Sequence, residues 1–209
     1  MQSYMGEEGS FLYSSINTLK KGDYYLLGIN PGGSGGQTLK SSLDNLPKKL
    51  SNDYDDDWSE TKKYTPGGAP LQNRLRSLFA DVNVSLENVC ATNLVFIKSK
   101  NQKGIAIWEL AEKCWPVHRL FLNIVEPKYI ITFGKITFQF ISKKNQLQQL
   151  TTIPSGHGNW KVQIAYKPDF PTLIGFPHFS RYKALKNILQ IVQRCVLEEL
   201  HLTSEFKNH

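Results

Sequence analysis

Cysteine is scarce in this sequence, and the three present stand far apart. Cys90, Cys114 and Cys195 are odd in number and show no C-x-x-C spacing, which excludes a zinc or redox motif of that kind and speaks against a disulfide framework. They are expected to be buried thiols. Long apolar runs are also missing: none approaches the length of about 18 residues that suggests a membrane span. The N-terminus shows neither a signal-peptide core nor a basic leader. A soluble, cytoplasmic protein without a membrane partner is expected. The glycines at 32–36 carry no phosphate-loop signature, since no Gly-Lys-Ser/Thr follows them and the G-x-G-x-x-G spacing is absent.

What is present describes a folded, basic domain. The 209 residues are 40% hydrophobic and 11% aromatic, against disorder, and their length suits a single domain spanning 1–209. A formal charge of +7 favours a polyanionic partner, because each phosphate neutralised by Lys or Arg releases counterions.

The chain is organised around Asp23 to Ile29, an apolar run that reads as a core strand and ends in Asn30, Pro31 and the glycines. Pro-Gly-Gly cannot continue a ladder, so the chain must turn and leave Asn30 at the mouth. A weak amphipathic helix is expected before it, near Phe11 to Leu19. The polar stretch at about 37–68 reads as an irregular insertion, with a helix over Leu39 to Leu50 interrupted at Pro47. Asn52 to Glu60 follows as an exposed acidic loop, its carboxylates available to a polar substrate or a divalent cation, though without EF-hand spacing. Further strands are predicted over Asn88 to Ile97, Lys128 to Gly134 and Trp160 to Tyr166, with a short edge segment at Thr172 to Gly175. Helices are predicted over Ala69 to Val82, Ile107 to Val125 with a kink or break at Pro116, Lys135 to Ser142, and Tyr182 to Leu200. This alternation implies a three-layer α/β/α sandwich around a central, mostly parallel four-stranded sheet. Ligands of such sheets lie beyond the carboxyl ends of the strands, where Asn30, Asn93 and His178 all fall.

Four segments, in order, resemble the uracil-DNA glycosylase superfamily. Gly28-Ile29-Asn30-Pro31-Gly32 resembles the water-activating motif of its mismatch-specific and single-strand-selective branches. Thr92-Asn93-Leu94-Val95 resembles the strand whose Asn reads the base. Pro127 to Lys135 is similar to a strand and turn of the thermostable branch, and Pro177-His178-Phe179-Ser180-Arg181 resembles the His-Pro-Ser loop that enters the minor groove. Two departures stand out: Phe179 replaces the proline of that loop, and the four cysteines that hold the thermostable branch's iron-sulfur cluster have no counterpart. No cofactor or metal is therefore expected. The stretch from Gln37 to Pro70 also lacks a counterpart.

The resemblance implies an enzyme that flips a pyrimidine out of DNA and hydrolyses its N-glycosidic bond, leaving an abasic site. Asn30 and His178 are then the catalytic pair, one orienting water and the other donating to the departing base. Asn93, Tyr64, Ile29 and Gly32 would recognise the base. Ser34, Lys98, Lys100, Lys135, Phe179, Ser180 and Arg181 would contact DNA. The Asn93 amide fits uracil in one orientation and cytosine in the other. Glycines stand where uracil-strict relatives place a tyrosine against C5, so the excised base is expected to be uracil or a C5-substituted pyrimidine, extending to hydroxymethylated or glucosylated cytosine of phage DNA. Excision would then serve antiviral defence rather than repair. A monomer is expected, with no obligatory protein partner. The rival readings are a catalytically inactive DNA-binding protein and a nucleotide or nucleoside hydrolase.

Overall fold

The computed structural model describes residues 1–31, 36–56, 63–98, 105–180, 182 and 186–205. Its strands are β1 (Tyr24–Gly28), β2 (Cys90–Asn93), β3 (Tyr129–Phe133), β4 (Gln148–Pro154), β5 (Lys161–Lys167) and β6 (Phe170–Phe176). The helices are α1 (Leu39–Asn45), α2 (Pro70–Ala80), α3 (Ile105–Val125), α4 (Lys135–Lys144) and α5 (Ile188–Glu205). All six strands form one sheet in the order β2-β1-β3-β6-β5-β4. β2, β1, β3 and β6 pair in parallel, while β5 runs antiparallel to both β6 and β4. The fold is α/β with a mostly parallel sheet, of six strands where the sequence led to an expectation of four.

Two misread segments account for the difference. Thr172 to Gly175, expected at an edge, belongs to β6 in the middle of the sheet. Pro171 does not prevent this, because pairing with β3 begins one residue later, at Tyr129 with Thr172. Gly175 is required there: a Cβ would meet the Phe138 ring of α4 at 2.5 Å. β4 escapes notice because Gln148, Gln149, Thr151 and Thr152 give it little apolar alternation, as suits an edge strand with one open face.

The strand side chains explain the layers. Tyr25, Leu27, Ile130 and Leu173 pack with Ala111, Trp115, Phe138 and Ile141 of α3 and α4. Their neighbours Tyr24, Leu26, Ile131 and Ile174 pack on the opposite face with Leu75, Leu78, Leu189 and Val192 of α2 and α5. Strands covered on both faces read as nearly continuous apolar runs, which is why β1 and β3 are so legible. Each such buried side chain contributes roughly 1.5–3 kcal/mol relative to exposure.

Other elements depart from expectation at their ends. Only Ile16–Thr18 is helical within the segment expected as a weak helix. Its start instead runs along β2, the edge strand: the Tyr13 amide donates to the Ala91 carbonyl at 2.9 Å, and the Ala91 amide donates to Ser14 Oγ at 3.0 Å. Helix propensity yields here to the need to cover an open edge. α3 runs unbroken through Pro116, held by buried neighbours such as Cys114, Trp115 and Phe121. α5 begins only at Ile188. Among the described residues, no helix is long and apolar enough to cross a membrane.

Candidate active site

Parallel strands deliver their carboxyl ends to one edge, and four of them end together here. Gly28 of β1 lies in register with Asn93 of β2, and Phe133 of β3 with Phe176 of β6. Asn30 stands two residues past β1 and His178 two residues past β6. The glycine at position 28 makes the first contact possible, since a Cβ there would lie 2.1 Å from Asn93 Oδ1 and 3.0 Å from Phe133 Cζ. Asn93 is buried, at 7% exposure, with its amide packed over the end of β1. Beyond Asn93 the chain stays tied to β1: the Leu94 and Val95 amides donate to the Gly28 and Ile29 carbonyls at 3.0 and 2.9 Å. Ile29 itself is buried in the core on the α3 side.

Asn93 has a partner that sequence reading missed. The Tyr13 hydroxyl hydrogen-bonds its side chain, and Tyr13 is also within electrostatic reach of Asp53. Burial pushes the Tyr13 hydroxyl well above its usual range, with Asp53 adding to the shift and Asn93 opposing it, so it is a neutral hydroxyl at any physiological pH. Asp53 is raised as well, chiefly by burial and opposed by its ion pair with Lys49. The start of the stretch expected as an exposed acidic loop is thus packed structure. Tyr54 is 3% exposed, and Arg76 of α2 ties down the Tyr54 carbonyl and the Asp55 carboxylate. Asp57 and Glu60 lie outside the described residues.

The His178 ring is oriented from one side. Its Nδ1 is 3.2 Å from the Ser180 backbone nitrogen and 2.8 Å from Ser180 Oγ. A backbone N–H can only donate, so Nδ1 accepts and the proton of the neutral imidazole sits on Nε2. The ring meets Phe133 edge to face at 5.4 Å and 85°. Phe133 thus meets His178 and approaches the end of β1 at Gly28 with its ring tip. The Asn30 amide nitrogen donates to the Pro31 carbonyl at 3.0 Å, which orients the amide.

The expected DNA-contacting residues divide. Lys98 places its ammonium against Gly36, where the glycine loop rejoins the described chain, and a Cβ on Gly36 would stand 2.8 Å from it. Lys135 is exposed at the first turn of α4 and lines a cleft that also reaches His178. Ser180 is exposed. Phe179 is a correction: its side chain is fully buried, stacked on Tyr182 at 5.6 Å and packed against Phe133 and Phe176, so it does not face DNA. An aromatic in the proline's place turns inward to join the apolar cluster that also holds Phe133, Phe176 and Tyr182. The Tyr64 ring is half-buried with the Lys63 ammonium 5.5 Å from its centroid. Gly32, Ser34, Lys100 and Arg181 lie outside the described residues.

Among the described residues, no group of three or more His, Cys, Asp or Glu side chains is placed to hold a metal ion. A cleft of about 870 Å³ lies at the opposite end of the sheet, lined by Trp115, Lys128 and Thr172 with Arg119, Glu126 and Asp169 among its charged residues. No protein-family model matches the chain, and a search of curated proteins finds no match.

Proposed function

We propose that this chain is a DNA glycosylase built on a uracil-DNA glycosylase-like sandwich, which extrudes a pyrimidine nucleotide and hydrolyses its N-glycosidic bond. The observation that carries this reading is the hydrogen-bonded state of His178. With Nδ1 accepting from Ser180, the imidazole carries its donor proton on Nε2, and its loop follows β6 on the edge where Asn93 and Asn30 also lie. That donor suits the O2 of a pyrimidine leaving with negative charge. A preorganised donor of this kind supplies roughly 3–4 kcal/mol of transition-state stabilisation in a site that excludes water.

The steps balance as a hydrolysis. The bond between C1′ and the base nitrogen breaks with its electron pair going to the base. Charge builds on O2 and is met by His178, while the sugar becomes cationic. Water held by the Asn30 amide oxygen adds to C1′, and its released proton ends on the departed base. Asn30 is neutral and gives the cation less electrostatic support than a carboxylate would, so the preferred bases are those with good leaving-group character. Asn93, fixed by Tyr13, reads the Watson–Crick edge. The sequence after Asn30 has glycines where uracil-strict relatives place a tyrosine against C5, which supports C5-substituted pyrimidines as substrates.

The test is a panel of oligonucleotides carrying uracil, hydroxymethyluracil or glucosylated hydroxymethylcytosine, scored for abasic sites by alkaline strand cleavage. Cleavage at one or more of these positions supports the reading. Release of uracil alone removes the C5 proposal, and no cleavage on any of them contradicts glycosylase activity.

A further inference from the structure

β4 and β5 add a hairpin to the sheet beside the site, and its tip is built into the His178 loop. The turn between them has left-handed glycines, Gly156 at φ 80° and Gly158 at φ 52°, which hold a tight bend that side chains would strain. Ser155 is fully buried and its carbonyl accepts the Tyr182 hydroxyl at 3.1 Å. Tyr182 in turn stacks on Phe179, the neighbour of His178. The hairpin tip and the catalytic loop are therefore one packed block.

Between this hairpin and α4 runs a cleft of about 570 Å³. It is lined by Thr152, Trp160, Lys161 and Gln163 of the hairpin, by Lys135 and Phe138 of α4, and by His178. Among the described residues, Lys135, Thr152, Lys161 and Gln163 make no side-chain hydrogen bond or ion pair, and no carboxylate lines the cleft. Trp160 is 42% exposed despite being the largest side chain there. Its only ring neighbours are His157 and Tyr182, at 5.3 and 6.4 Å, among the described residues. The larger cleft at the far end of the sheet carries Glu126 and Asp169 beside Arg119 and Lys128, so its charges balance, whereas the hairpin cleft has lysines alone.

We propose that the hairpin cleft seats the nucleotide of the DNA strand that flanks the flipped one. Trp160 stacks on its base, and Lys135 and Lys161 neutralise the phosphates on either side. An aromatic platform beside a cationic groove is how single strands are held without regard to sequence. The volume lies within the roughly 300–1,000 Å³ of pockets that bury small ligands. The assignment to a strand flanking a flipped nucleotide rests on the glycosylase reading, in which His178, a lining residue of the same cleft, contacts the flipped nucleotide.

The test is fluorescence anisotropy of the full chain with labelled oligothymidylate over a salt series, comparing wild type with Trp160→Ala, Trp160→Phe and the Lys135→Gln/Lys161→Gln pair. All three positions are exposed, and circular dichroism melts establish that the variants fold. Trp160→Ala is expected to weaken binding by roughly 5- to 150-fold, the loss of one base stack, with Trp160→Phe retaining most of the affinity. The lysine pair is expected to flatten the slope of log affinity against log salt by about 1.4, two single-strand phosphate contacts. Wild-type affinity and slope in all variants would overturn the proposal. So would a loss seen only with base-modified oligonucleotides, which would make the cleft a pocket for the base's substituent. Excision is scored separately: a Trp160-dependent binder that excises nothing keeps the cleft and loses the glycosylase, and the reverse result loses the cleft alone.

Discussion

Gly28 and Asn93 share one space: a Cβ on Gly28 would stand 2.1 Å from Asn93 Oδ1. The clash falls on the end of a side chain rather than on backbone, so Gly28→Ala is expected to fold and to push the Asn93 amide out of place. Excision by Gly28→Ala should fall about as far as for Asn93→Ala. Tyr13→Phe, which keeps the ring and removes only the hydroxyl bonded to Asn93, should cost about 1 kcal/mol, or roughly 5-fold in kcat/KM, and narrow the preference between correct and incorrect bases. Single-turnover kinetics on two bases measure both effects.

His178 and Ser180 should separate cleanly. His178→Ala removes the donor to the leaving base and is expected to lower kcat by roughly 10²–10³-fold while leaving DNA affinity nearly intact. Ser180→Ala keeps the backbone N–H that orients Nδ1 and is expected to cost less than about 10-fold, the value of one hydroxyl bond. Equal losses in the two variants would show that the hydroxyl, not the backbone, sets the tautomer.

Phe179 distinguishes a core residue from a wedge. Because its side chain is fully buried against Phe133, Phe176 and Tyr182, Phe179→Ala is expected to destabilise the fold by about 3–5 kcal/mol through cavity formation. Chemical denaturation reads this directly. A groove-inserting side chain would instead leave stability unchanged and reduce DNA affinity.

The resemblance led to Phe179 at the DNA, and the error is instructive. The pattern of chain-level residues placed the loop correctly after β6 but could not show which way an aromatic substitute for proline would turn, because that depends on the apolar cluster it joins. The placing of Asn30, Asn93 and His178 at one edge was legible because each stands at or just past the end of an apolar strand, and parallel strands bring their carboxyl ends together without further information. Tyr13 and Gly28 were not, since their roles come from pairings across 80 and 65 residues of chain. Tyr13 is placed by a segment that covers an edge strand, a tertiary need that local propensity does not record. β4 was hidden by the polarity of its glutamines and threonines, and with it the cleft beside Trp160.

His118 provides a pH test of the scaffold behind Asn93. It is fully buried, accepts from the Tyr25 hydroxyl at 3.0 Å and donates to the Leu94 carbonyl at 2.9 Å. Burial lowers its pKa from 6.5 to about 4, against the raising effect of the Leu94 carbonyl. Between these values the unfolded chain binds a proton that the folded chain does not, so stability falls as pH drops through this window. The loss from this group should be about 3 kcal/mol between pH 7 and 4, at about 1.36 kcal/mol per pH unit. Denaturation midpoints across pH 4–7 should follow this trend in wild type and flatten in His118→Gln.

The most direct measurement of the central claim is mass spectrometry of the products after single-turnover incubation with the modified-base oligonucleotides. Wild type should yield the free pyrimidine and an abasic strand in equal amounts. Asn30→Ala and His178→Ala should bind the same DNA and release almost none. Intact oligonucleotide with wild type, or undiminished release by both variants, would contradict the account.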